Sequence, residues 1–197
     1  NRFVKEMEKN LEEYNTPAAT NLIAPYIEDL STWYIRRSRK RFANQDKQAI
    51  ETLKWALMIF TKSIAPILPF FSEFVYQTLK EKDDPKSVHL AYWPEVNEKN
   101  IDKNLEEKMD FIRILVNKGH RIRQKQQIRL RQPLQSFKVI NSKFEFENNQ
   151  LIKLLKKELN VKEIELKAGP DEVEVELDTE ITPQLKAEGE ARDLIRK

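Results

Sequence analysis

The chain has 197 residues, no cysteine, two histidines and three glycines. Those counts exclude a disulfide scaffold, a thiol nucleophile, a zinc finger and a Gly-rich phosphate loop, and His89 and His120 sit too far apart in sequence to suggest a metal site. The net charge is only +3 although 34 % of the residues are charged, so its layout along the chain matters more than its sum.

The chain opens in a helical pattern, with Phe3, Met7 and Leu11 at period four. It lacks an initiator Met, and it ends at Lys197 within another helical pattern, so both ends read as cut from a longer polypeptide. Thr16-Pro17 predicts a cap and first turn for a second helix. Its apolar stripe runs Leu22, Tyr26, Leu30 and Trp33, with Ile23, Ile27 and Tyr34 beside it; Pro25 predicts a kink or a delayed start. The residues between Asp29 and Asp46 include no acid, yet Arg36, Arg37, Arg39, Lys40 and Arg41 crowd together. At 100° per residue the apolar stripe continues into Arg37 and Arg41. The helix must leave the bundle there or have those charges neutralised, because an unpaired buried charge is costly.

Asp46 predicts the cap of a third helix with Ile50, Leu53, Leu57, Phe60 and Ile64 inside. Pro66 and Pro69 break the longest apolar run, so no transmembrane helix is expected. A fourth helix, 70–80, is expected to pack Phe71, Phe74, Val75 and Leu79, and His89 to Pro94 to run extended across the bundle. Trp55 and Trp93 read as packing residues. Asp102 opens a fifth helix reaching about Gln127, with Leu105, Met109, Ile112, Val116 and Ile122 inside. From Asp110 to Glu145 acids are again missing, while Arg113, Lys118, Arg121, Arg123, Lys125, Arg129, Arg131, Lys138 and Lys143 accumulate.

At Pro133 the period changes. Leu134, Phe137 and Val139 suggest a strand, residues 148–159 a helix, and Val161, Ile164 and Leu166 a second strand. Val173, Val175 and Leu177 alternate with acids as a third strand, and Gly169-Pro170 predicts a hairpin turn between the last two. Thr182-Pro183 opens a final helix. The expected fold is mainly α: a five-helix bundle over residues 1–128, then a small α+β module over 129–197.

No catalytic constellation emerges. The histidines have no nucleophile motif beside them, and Glu172, Glu174, Glu176 and Asp178 read as the solvated face of a strand. Two acid-free basic stretches in an otherwise acidic chain instead point to a polyanionic partner. Arg36, Arg37, Arg39, Lys40 and Arg41 form one candidate group; Arg121, Arg123, Lys125, Arg129 and Arg131 form the other. The two would make one positive surface wherever the bundle brings them together. Trp33 beside the first group has two readings, core packing and stacking on an unpaired base.

Several runs carry a family resemblance. Asp29-Leu30-Ser31-Thr32-Trp33-Tyr34-Ile35-Arg36-Arg37-Ser38-Arg39-Lys40-Arg41-Phe42 resembles a signature of isoleucyl-tRNA synthetases, class I enzymes. So does Ala65-Pro66-Ile67-Leu68-Pro69-Phe70 with Ser72-Glu73-Phe74-Val75-Tyr76-Gln77, a motif shared more widely among class I synthetases for aliphatic amino acids, and Ser87-Val88-His89-Leu90 with Trp93-Pro94 is similar to the segment that follows it in those enzymes. Arg129-Leu130-Arg131-Gln132-Pro133-Leu134 and Leu185-Lys186-Ala187-Glu188-Gly189 complete the set. Phe74 and Glu190 depart from the pattern, which more often holds an acid and a Leu there. The resemblance implies an anticodon-binding bundle followed by an α+β junction module truncated at its C-terminal end. It implies tRNA(Ile) and the rest of a parent synthetase as partners, a cytoplasmic monomer and no membrane. Neither a His-Ile-Gly-His nor a Lys-Met-Ser-Lys-Ser motif is present, so ATP and magnesium belong to the parent and no cofactor is expected in this stretch. The stretch itself is then not the catalyst. The alternative reading is a structural helical module that docks a protein partner through its basic helix end.

Overall fold

A computed structural model describes residues 1–140, 149–170 and 172–194. Lys143, the first residue of the expected 148–159 helix and Asp171 beside the expected turn lie outside the described residues. Contacts divide the chain into two compact units, Asn1–Ile101 and Asp102–Lys197.

In the first unit, α1 spans Arg2–Glu12, α2 Thr16–Asn21, α3 Ile23–Asp29, α4 Arg36–Ala43, α5 Lys47–Ile64 and α6 Pro69–Leu79. Asn15, one residue before the expected Thr16, caps α2: its side chain accepts from the Ala18 N–H at 3.2 Å. Pro25 falls in the first turn of α3, where a missing N–H costs no helical bond. Asp46 caps α5 as expected, accepting from the Ala49 N–H at 3.1 Å. The core gathers Met7, Ala19, Ile23, Phe60 and Ile64, with Trp93 packed against it. At its centre the rings of Tyr26 and Phe60 stack 4.7 Å apart, and Phe3 lies 4.6 Å from Tyr26. Burial pushes the Tyr26 hydroxyl pKa up to about 12, and that hydroxyl donates to Ala56 O at 3.0 Å.

Two inside/outside assignments are reversed. Ile50 and Trp55 of α5 are exposed, by 45 % and 52 %, because Ala49, Thr61 and Ser63 take the close-packed positions. On α6, Phe70 and Phe74 are exposed and Phe71 half so, while Ser72 and Tyr76 are buried. Hydrogen bonding decides that face. Tyr76 Oη donates to Pro85 O at 3.0 Å, and Gln77 Nε2 donates to Lys86 O at 2.5 Å. The Glu73 carboxylate accepts from the Val88 N–H and from Ser87 Oγ, both at 2.9 Å. The polar residues of α6 thus pin the loop that follows it. Val88–Leu90 forms a short 3-10 turn rather than the start of an extended run.

In the second unit, α7 spans Lys103–Lys125, β1 Leu134–Ile140, α8 Asn149–Leu159, β2 Val161–Lys167, β3 Glu174–Leu177 and α9 Pro183–Leu194. Phe111, Ile112, Leu115 and Val116 are the buried apolar residues of α7, and Leu105, expected inside, is 46 % exposed. α7 packs on α8 and on β3. Gly119 permits the close approach: a Cβ there would stand 2.5 Å from Leu159 Cδ2 and 3.2 Å from Phe137 Cε2.

The expected hairpin between the second and third strands is not formed. The sheet order is β2-β1-β3, with β1 parallel to β2 and antiparallel to β3. Leu134, Phe137 and Val139 make β1 the most apolar and most buried strand, so it takes the centre. The charged, largely exposed β2 and β3 take the edges, where solvated side chains cost little. The crossover through α8 makes the β1–β2 pair parallel.

Candidate nucleic-acid interface

The first basic group owes its placement to an irregularity no α-periodicity forecasts. Between α3 and α4 the chain forms a π-helical turn, Leu30–Ile35. Ser31 Oγ donates to Ile27 O at 2.7 Å and Glu28 O at 3.1 Å, and Thr32 Oγ1 donates to Glu28 O at 2.5 Å. Hydroxyls competing for the preceding turn's carbonyls favour such widening. The wide turn takes up an extra residue, so everything after it is rotated by one position. The stripe expected at Trp33, Arg37 and Arg41 is found at Tyr34, Ser38 and Phe42.

That shift resolves the charge problem. Ser38 is buried, Phe42 is half-buried with its ring edge-on to Tyr34, and Tyr34 Oη donates to Ala49 O at 3.0 Å. Arg36, Arg37, Arg39, Lys40 and Arg41 all stand exposed around this narrow packed line. Arg36 Nε donates to Thr32 O at 2.9 Å. Arg41 Nε donates to Asp46 at 2.8 Å, which raises the arginine pKa and holds the aspartate below its usual range. Trp33 is half-buried beside them.

The second group is of mixed fate. Arg121, Lys125, Arg129 and Arg131 are exposed. Arg123 is 1 % exposed. Its Nη1 donates to Arg129 O at 3.1 Å and Gln132 O at 2.9 Å; its Nη2 donates to Leu159 O at 2.6 Å and Asn160 O at 3.2 Å. Burial pulls its pKa down to about 10, so it stays charged at neutral pH. The C-terminal carbonyls of α8 favour that charge. A guanidinium used this way is not available to a phosphate. Gly119 and Leu115, four and eight residues earlier, lie on the same buried face, so helix phase carried the signal that charge counting missed. Lys118 Nζ donates to Val173 O at 2.7 Å, and Lys138 pairs with Glu176 at 2.6 Å.

No helix among the described residues is long and apolar enough to cross a membrane. Among the described residues no cluster of His, Asp or Glu is placed to hold a metal ion.

The sequence is similar to isoleucine–tRNA ligases of Chlamydia trachomatis serovar L2 (41 % identity over 162 residues), Chlamydia pneumoniae (37 % over 170) and Protochlamydia amoebophila (35 % over 172). The matches cover 79 %, 82 % and 83 % of this chain and 16 % of each relative. The chain therefore spans about 16 % of the length of the curated relatives it matches. The family described as "Anticodon-binding domain of tRNA ligase" matches residues 1–139, which takes in the π-turn, all of α4 and the loop after α7. With that match over most of its length, this chain belongs to the anticodon-binding domain family of tRNA ligases.

Proposed function

We propose that this chain is the tRNA-binding region of an isoleucine–tRNA ligase and holds the anticodon arm of tRNA(Ile). In that role it orients the tRNA while a separate catalytic part of the parent enzyme, using ATP and magnesium, joins isoleucine to it. Its share in catalysis is positioning. The proposed contacts are Arg36, Arg37, Arg39, Lys40 and Arg41 on α4, with Trp33 beside them, and Arg121 and Lys125 at the end of α7 with Arg129 and Arg131 after it. Arg123 drops out as a direct ligand. We further propose a division of labour between a helical part, residues 1–128, and a junction module, 129–197, in a cytoplasmic monomer.

One observation carries the reading: five consecutive-turn basic side chains all face solvent on a helix anchored by little more than Ser38 and Phe42. Five solvated cations within six positions suit an RNA backbone, and each phosphate neutralised adds about 0.7–0.9 to the log–log salt slope of binding. The test uses Arg39→Ala with Lys40→Ala, which avoids the Arg41–Asp46 pair. The expected result is weaker tRNA binding, a slope flatter by about one to two units and an unchanged melting temperature. Loss of stability with an unchanged slope would sink the reading, as would equal affinity of the native chain for tRNA(Ile) and an unrelated tRNA.

A further inference from the structure

Arg123 is a buried cation with four neutral acceptors, and two of those acceptors belong to one short loop. The loop, residues 126–133 between α7 and β1, carries Arg129 and Arg131. Its main chain is tied at three points from beneath: Arg123 holds Arg129 O and Gln132 O, and Asn160 Nδ2 donates to Leu130 O at 2.9 Å. A fourth tie comes from the side, where Gln132 Nε2 donates to Leu185 O of α9 at 2.7 Å. With its carbonyls committed inward, the loop presents its arginines outward. They converge: Arg131 Nη1 lies 3.1 Å and Arg129 Nη1 3.7 Å from the two oxygens of one carboxylate, Asp193.

We propose that Arg129 and Arg131 form a single clamp for one RNA phosphate, and that Arg123 is the positioning residue that sets its geometry. Asp193 occupies in this structure the place the phosphate takes. A phosphodiester presents two negatively charged oxygens, as a carboxylate does, and two guanidinium groups, each able to donate twice in a plane, can bracket them. The carboxylate keeps the arginines together in the free chain and yields when the phosphate belongs to an RNA strand that the neighbouring cations hold as well. This inference rests on the tRNA reading above and adds which side chains act together and what fixes them.

The clamp predicts non-additivity. Two arginines on one phosphate count once in the salt slope, whereas two independent contacts count twice. With one arginine gone, Asp193 neutralises the other and the phosphate is no longer held, so with the full chain and unfractionated tRNA, Arg129→Ala, Arg131→Ala and the double variant should each flatten the slope by the same amount, about 0.7–0.9. A double variant that loses about twice as much as either single overturns the shared phosphate. The positioning role is tested with Arg123→Lys, which keeps a cation but cannot reach four carbonyls. In the folded variant the slope should already be flattened, and adding Arg131→Ala should change nothing further. Where that variant fails to fold, Asn160→Gly serves: Asn160 has φ 51°, which glycine adopts freely, and the change removes only its side-chain tie to Leu130 O and its contact with Arg192. A native slope in folded Arg123→Lys overturns the positioning role of Arg123, and a native slope in Asn160→Gly overturns the claim that the ties beneath the loop set the clamp. Absence of any salt-dependent tRNA binding by the native chain is a different failure: it takes down the tRNA reading, and the clamp with it.

Discussion

The two basic stretches look alike in sequence and are used in opposite ways. In residues 36–41 every cation reaches solvent, even Arg41 in its pair with Asp46 and Arg36 in its bond to Thr32 O, and Ser38 is the one buried residue of the helix. In residues 113–138 the chain spends much of its charge on itself: Arg123 on four carbonyls, Lys118 on Val173 O, Lys138 on Glu176, and Arg129 with Arg131 on Asp193. An acid-free run therefore does not by itself mark a binding face. What separates the two is the phase of each cation relative to the packed line of its helix.

The sharpest way to break that contrast is to remove the buried cation. Arg123→Met keeps much of the volume but removes a donor from four carbonyls; Arg129 O and Asn160 O keep a main-chain donor each, from Gln132 and Leu134, whereas Gln132 O and Leu159 O lose the guanidinium. Each buried unsatisfied group costs about 1–3 kcal/mol, and some will be recovered by water, so a loss of about 3 kcal/mol is expected. All three tryptophans lie in residues 1–101, so their emission does not report on the second unit directly. Hydrogen exchange of the β1 amides, residues 134–140, measures the loss where it occurs. Protection unchanged from native would show that the guanidinium is not a structural element.

A smaller effect tests why Arg123 is inside at all. Gly119 brings that face of α7 against Leu159 and Phe137, and Arg123 follows one turn later. Gly119→Ala would gain about 1 kcal/mol in helix propensity. It would also force Leu159, fully buried, off a Cβ that starts 2.5 Å away, and overpacking of this kind costs about 1–3 kcal/mol. A net loss of about 1 kcal/mol in denaturant unfolding is expected. A stabilised Gly119→Ala would mean that α7 has slack against the sheet module.

Much of this architecture was legible in the sequence. The helix caps at Asp46, Asp102 and Thr182, the three strands and the switch of period at Pro133 all follow from local patterns. What local patterns missed has physical causes. The π-turn depends on hydroxyls at Ser31 and Thr32 bonding backward, and periodicity assumes a constant 100° step. The strand order depends on which strand is apolar enough to be central, while Gly169-Pro170 reports only that the chain turns. The buried face of α6 depends on hydroxyl, amide and carboxylate partners in the next loop, and hydrophobicity alone selects Phe71 and Phe74 instead. In the candidate interface, constant periodicity set Arg37 and Arg41 on the apolar stripe, which the π-turn moves to Ser38 and Phe42, and Arg123 needed its helix phase.

The gentlest test concerns an acid that does in the first unit what Arg123 does in the second. Glu73 of α6 ties down main chain, accepting from the Val88 N–H, Ser87 Oγ and Gln77 Nε2. The Val88 N–H, then Gln77 and Ser87, hold its pKa below the usual glutamate range, with His89 adding a lesser electrostatic contribution. Because the folded value is lowered, the stabilisation is fully present above the ordinary glutamate pKa and is lost as pH falls through the lowered one. Glu73→Gln removes the titration and turns one acceptor into a donor facing donors. The melting temperature of the variant should therefore sit below native at pH 7, and the gap should narrow on going from pH 5 toward pH 3. Glu73 stays near the surface, where water can replace part of what is lost, so the shift should be well short of that for Arg123→Met. A gap that stays constant down to pH 3 would mean that the loop is held by Tyr76 and Gln77 alone. Glu73 would then resemble the solvent-facing charges of α4 more than the buried cation of α7.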